Sequence, residues 1–227
     1  MRLDSPYYPY EKVNTGYNTM SGAELIPYKV LLYLLDMSDK FGYKPKDDNE
    51  RPRVRLMKYL FYDGENPLSR PLPTDAQKMS ILFDGNEPVT NTDELKAKHP
   101  NGYRLFAQAY WNQSELDAKT MLKCYIGRVI PYSPFRTSIG LDFELSVNYG
   151  LDTVTKTTAY SKLYSMECAL IGALHGVNIA GVGVVSFDRT SHIDNGSNPA
   201  HDQGTHVYRV LHMSVDWMES TETDLEE

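Results

Sequence analysis

Residues 139–149 read Ile139-Gly140-Leu141-Asp142-Phe143-Glu144-Leu145-Ser146-Val147-Asn148-Tyr149, an alternation with hardly a fault. Ile139, Leu141, Phe143, Leu145, Val147 and Tyr149 fall on one side, and Gly140, Asp142, Glu144, Ser146 and Asn148 on the other. Successive side chains of a strand point to opposite faces, so this is a half-buried strand with one wet face. A second alternation closes the chain. Val207, Arg209, Leu211, Met213, Val215 and Trp217 oppose Tyr208, Val210, His212, Ser214 and Asp216.

Working outward, Met121–Ile130 predicts a strand with Leu122, Cys124 and Ile126 on one face, and Pro131–Pro134 predicts the turn into the strand at Ile139. Thr158–Leu174 predicts a helix. Its core stripe is Leu163, Met166, Leu170 and Leu174, with Thr157 or Thr158 as cap and Gly176 in the left-handed position beyond the end. Val182–Phe187 begins a further strand, and Asp188–His206 reads as a polar loop. Upstream, Ala23–Met37 predicts a helix with Leu25, Tyr28, Leu31, Leu32 and Leu35 on its stripe and Pro27 near its start. Asp36–Pro52 is polar and turn-rich. Arg53–Tyr62 fits either strand or helix, and its early alternation and its run of Tyr, Leu and Phe tip it to strand.

The fold class that follows is α+β: a mostly antiparallel sheet flanked by two helices, with a loop-rich insertion and a C-terminal β-hairpin. Residues 1–22 form a Tyr-rich arm, 23–218 a single domain carrying the insertion at 64–120, and 219–227 an acidic tail read as disordered. The insertion is punctuated by Pro67, Pro71, Pro73 and Pro88, and predicts local hairpins with one short helix near Glu94–Lys98. In the arm, Tyr7, Tyr8, Tyr10 and Tyr17 lie among Pro and Gly without helix or strand period. Such a segment reads either as a disordered leader or, since large side chains with a polar tip suit a peptide lying on another surface, as an arm that docks on a neighbour.

Composition bounds the function. With 41% hydrophobic and 23% charged residues the 227-residue chain is ordinary for a soluble domain. A net charge of −7 argues against general nucleic-acid binding, which needs a basic surface, and does not exclude a protein that DNA must pass without sticking. No apolar run reaches membrane length. No secretory leader is visible at Met1–Tyr10, and Cys124 and Cys168 read as buried free thiols.

Motifs for chemistry are sparse. His192, Asp194, His201, Asp202 and His206 offer metal-ligating groups, but their spacing matches no standard site, and plain loop chemistry is the favoured reading; no metal, cofactor or catalytic residue is expected. Gly181-Val182-Gly183 lacks the third glycine of a phosphate loop and reads as a bulge or a close backbone approach at a strand start. Arg51, Arg53 and Arg55 would share a strand face, where pairing with Asp47, Asp48 and Glu50 outweighs phosphate binding.

The order of elements, Ala23–Met37, Arg53–Tyr62, Met121–Ile130, Ile139–Tyr149, Thr158–Leu174, Val182–Phe187 and Val207–Trp217, resembles the tail terminator and tail-completion proteins of long-tailed bacteriophages. That resemblance is one of pattern and covers about two thirds of the chain. It implies a non-enzymatic virion protein, assembled in the host cytoplasm into a ring, usually hexameric. Such a ring caps the tail tube, meets the head connector and lets DNA through without specific binding or any membrane. The same pattern admits another neck, head-completion or tail-tube protein. A metal-dependent enzyme or binding protein using the His192–His206 loop is the reading from a different class.

Overall fold

The computed structural model describes residues 20, 22–36, 49–64, 66–83, 97, 99, 101–108, 120–133, 136–148, 161–188, 191–195 and 206–218. In chain order these form α1 (Ile26–Leu35), α2 (Pro52–Phe61), α3 (Asp75–Ser80), β1 (Leu82–Phe83), β2 (Leu105–Phe106), β3 (Thr120–Ser133), β4 (Arg136–Asn148), α4 (Lys162–Leu174), β5 (Val177–Ile179), β6 (Gly183–Ser186), β7 (His192–Asn195) and β8 (His206–Met218). Short 3₁₀ turns occupy Ala23–Leu25 and Pro67–Ser69. The class is α+β, with helices and one mostly antiparallel sheet ordered β1-β2-β3-β4-β8-β6-β5, and β7 pairs β8 beside that path.

The central strand is the one the alternation predicts. β4 lies antiparallel between β3 and β8, with Phe143 opposite Cys124 on one side and Leu211 on the other. Ile139, Leu141, Phe143, Leu145 and Val147 are fully buried, together with Leu122, Leu211, Met213 and Val215. The helices cover this face. Leu163, Met166, Leu170 and Leu174 of α4 join the same apolar cluster as predicted, and Gly176 takes φ +75° just past the helix end. The helix starts later than the sequence suggests. Its cap is Ser161, whose hydroxyl accepts from the Tyr164 amide at 3.2 Å; residues 157 and 158 lie outside the described set.

Three sequence expectations are overturned and one is widened. Arg53–Tyr62 is helix, not strand: Pro52 sits in the first turn, where its missing N–H costs nothing, and Val54, Met57, Leu60 and Phe61 bury at helical spacing. Aromatic propensity lost to tertiary packing. The buried face of α1 is wider than the stripe read from the sequence: Leu31 and Leu35 are buried and Tyr28 and Leu32 pack against the core as expected, Ile26, Val30 and Leu34 join them, and Leu25 is 51% exposed. Within residues 64–120, β1 and β2 are not local hairpins. They run parallel to each other and to β3, with Leu82 opposite Leu105 and Leu105 opposite Leu122, and so extend the main sheet. The stretch read as a polar loop holds β7, paired with β8. Most of Glu94–Lys98 lies outside the described residues.

A buried polar network ties that middle segment to the core. The Arg104 guanidinium donates to both carboxylate oxygens of Asp63 and, at 2.8 Å, to the Leu60 carbonyl. Thr120 donates to Asp63, and Lys162, at the start of α4, donates to Thr120 Oγ1 at 2.8 Å and to the Tyr62 carbonyl at 3.2 Å. Buried charge is tolerated here because each cation has an oxygen partner.

Candidate functional site

The wet faces of four strands meet in one transverse row. Tyr125 on β3 stands opposite Asp142 on β4, Asp142 opposite His212 on β8, and His212 opposite His192 on β7. Asp142 Oδ1 accepts from His212 Nδ1 at 2.7 Å. Beyond it the His212 and His192 rings stack, with centroids 4.2 Å apart and planes inclined by 20°. Asp194, two residues along β7 on the same face, brings Oδ2 to 3.3 Å from His212 Nε2 and 3.5 Å from His192 Nε2. β7 can hold this pair outward because Ile193 between them packs inward against the core.

The neighbouring strands set the position of Asp142. β3 carries an irregularity between Ile126 and Arg128, and at Gly127 the Asp142 carboxylate lies where a side chain would otherwise stand. The Tyr125 phenol beside it is pushed up to about 12 by burial first and then by Glu144 and Asp142. One row further on, Lys123 pairs with Glu144 at 3.1 Å.

A cavity of about 70 Å³ opens on this row, lined among others by Arg128, Ile130, Tyr132, Asp142, His192 and His212. Through Tyr132, Ser138 and Ser214 it adjoins an open groove of about 410 Å³ that reaches Arg136, Asp188 and Asp216. The Asp142–His212 pair is the orienting half of a Ser-His-Asp arrangement, but Nε2 faces Asp194 and not a hydroxyl. Ser214, the nearest candidate along β8, donates to Asp188 at 3.0 Å.

A second feature lies at the end of the β3–β4 hairpin. From Cys124 to Tyr132, β3 pairs only with β4 among the described residues, because β2 reaches no further than Lys123. Val129, opposite buried Ile139, is 45% exposed, and Tyr132 is 59% exposed.

The structure sorts the residues singled out in the sequence. His192 and Asp194 come together, whereas His206 opens β8 opposite Asn148, away from the cluster; His201 and Asp202 lie outside the described residues, as do Tyr7, Tyr8, Tyr10 and Tyr17. Asp142 and His212 were not singled out. Both lie on the wet sides of the two strongest alternations, and only the β4–β8 register reveals that they touch. Gly183 is a close approach as read, since a Cβ there would meet the Asp216 carbonyl at 3.0 Å. Arg53 and Arg55 do not share a face on α2, and the Arg53 guanidinium lies 4.1 Å from the Tyr33 ring centroid while donating to the Tyr33 carbonyl. Cys124 is buried, its thiol raised well above the ordinary range by desolvation and then by Asp142; Cys168 is exposed, contrary to expectation.

Among the described residues no helix is long and apolar enough to cross a membrane. No protein-family model matches the chain, and no curated protein or solved structure matches it.

Proposed function

We propose that this chain is a structural virion protein, a tail terminator that closes into a ring at the head–tail junction of a long-tailed bacteriophage. The observation that carries the reading is the edge of β3 from Cys124 to Tyr132, which has no strand partner among the described residues. A long strand edge without a partner is an aggregation hazard on a solitary domain and a ready contact in an assembly. Here it bears exposed Val129 and Tyr132 at its far end. A neighbouring copy would lie against this edge, with its Tyr-rich arm (Tyr7, Tyr8, Tyr10 and Tyr17) adding aromatic contacts. The contact joins two different surfaces, which gives a ring where the rotation closes and a filament where it does not; the reading takes the closed ring, for which six copies is the expected number. The tail tube and the head connector are the expected partners. The net charge of −7 suits a bore through which DNA slides without specific binding.

The test is to find the chain in particles and to image it. Labelled protein should sit as one ring between head and tail. A Val129→Asp, Tyr132→Asp double variant should melt normally and fail to enter particles. Location elsewhere in the neck or along the tube would replace the terminator assignment with that of a neck or tube protein. Absence from virions would remove the reading altogether.

A further inference from the structure

We propose that His192, Asp194 and His212 form a binding site for one divalent transition-metal ion of the zinc type, with Asp142 as the residue that positions His212. The inference is independent of the ring assignment. Two imidazoles and a carboxylate are the donors that zinc and its neighbours prefer, whereas calcium and magnesium call for oxygen donors throughout. The spacing fits the ion. Bonds of about 2.0–2.2 Å in a tetrahedral shell put neighbouring ligand atoms roughly 3.3–3.5 Å apart. Asp194 Oδ2 lies 3.3 Å from one imidazole Nε2 and 3.5 Å from the other, and the three donor atoms fall within 4.8 Å of one another.

The second observation is the orientation of His212. A carboxylate can only accept, so the 2.7 Å contact with Asp142 puts a ring proton on Nδ1 and leaves Nε2, the nitrogen that would ligate the ion, facing Asp194. Metal-bound histidines are held in this way by a carboxylate on the far nitrogen. In the fold Nε2 is buried and makes no hydrogen bond. Asp142 is itself confined, because it rests over Gly127, where any larger residue would displace it. The arrangement therefore has an oriented ligand, a positioned support and a buried nitrogen atom aimed at the site.

Binding asks for one adjustment. Stacked rings cannot both hold an ion in plane, so the His192 imidazole must turn about its outer torsion. That torsion is soft, and the side chain is 58% exposed. A water entering from the 70 Å³ cavity that His192 and His212 help to line would complete the shell. The ion would clip the four-residue β7 to β8, so its binding free energy adds to the stability of that hairpin.

The experiment uses the full chain, stripped with a chelator and titrated with zinc by calorimetry and with cobalt by visible absorption. Wild type should take up one ion, and cobalt should give a tetrahedral spectrum. His192→Ala, at an exposed position, should keep its metal-free melting curve and lose at least about 100-fold in affinity. Asp142→Asn should bind about 10–100-fold more weakly with an altered cobalt spectrum, the range typical of ligand-orienting partners. Failure of wild type to take up stoichiometric zinc at tens of micromolar, a range set by the roughly micromolar-or-better affinity expected of such sites, would overturn the proposal. So would equal affinity in His192→Ala. An Asp142→Asn variant matching wild type in affinity and spectrum would remove Asp142 from it.

Discussion

The carboxylate of Asp142 fills the space in which a side chain on Gly127 would begin. An ideal Cβ at 127 would lie 2.0 Å from Oδ2 and 2.3 Å from Cγ. Gly127→Ala should therefore turn Asp142 away and break its hydrogen bond to His212. The colliding atoms are the end of a movable side chain, so the fold should survive with a loss of about 1–3 kcal/mol, the usual cost of a mild overpacking. Nitrogen NMR of the His212 ring would report the change. An unaltered His212 signal in the alanine variant would show that the carboxylate does not need that space.

Arg104 and Asp63 join the middle segment to the helical layer through a paired contact, and the Arg104 side chain is 6% exposed. Removing one partner of such a pair leaves the other charge buried, so Asp63→Ala should cost about 3–5 kcal/mol in a denaturant melt. A loss under about 1 kcal/mol would mean that β1 and β2 are docked independently of the network.

Leu170 is fully buried in the cluster that joins α4 to Ile139, Leu141, Phe143 and Leu145. Leu170→Ala should lower stability by about 2–5 kcal/mol, the range for a leucine whose cavity cannot collapse. Chemical denaturation measures it, and a loss near zero would mean that α4 presents another face.

The two thiols should separate in rate. Cys168 is exposed and Cys124 is buried with its thiol held in the protonated form, so a native-state assay with a disulfide reagent should modify one thiol quickly. The second should react only after unfolding. Two fast thiols would contradict the burial of β3.

Glu167 carries the pH prediction. Its side chain is 1% exposed; burial raises the carboxyl above its ordinary value of 4.5, and Arg209, with Nε at 3.3 Å, pulls the other way. A carboxyl raised by folding is favourable below its unfolded value, and that contribution is lost as pH climbs through the folded one. The melting temperature of Glu167→Gln relative to wild type should accordingly rise between pH 4 and pH 7. A relative fall over that interval would show that the Arg209 pairing outweighs desolvation.

What the sequence determined by itself was whatever repeats over many residues. β4 and β8 announce themselves through five or more alternations each, and α4 through a stripe at 163, 166, 170 and 174, because period and burial are properties of the local chain. β1, β2 and β7 span two to four residues, too few to display a period; β2 and β7 form against the longer β3 and β8, and β1 forms against β2. Pro52 decided α2 against aromatic propensity, and packing decided which side of α4 leaves Cys168 in water. The Tyr125–Asp142–His212–His192 row belonged wholly to the tertiary structure. Each residue is legible as a wet position on its own strand, but contact between residues 70 apart depends on register. Register is set by strand pairing across the sheet, which no local stretch of sequence contains.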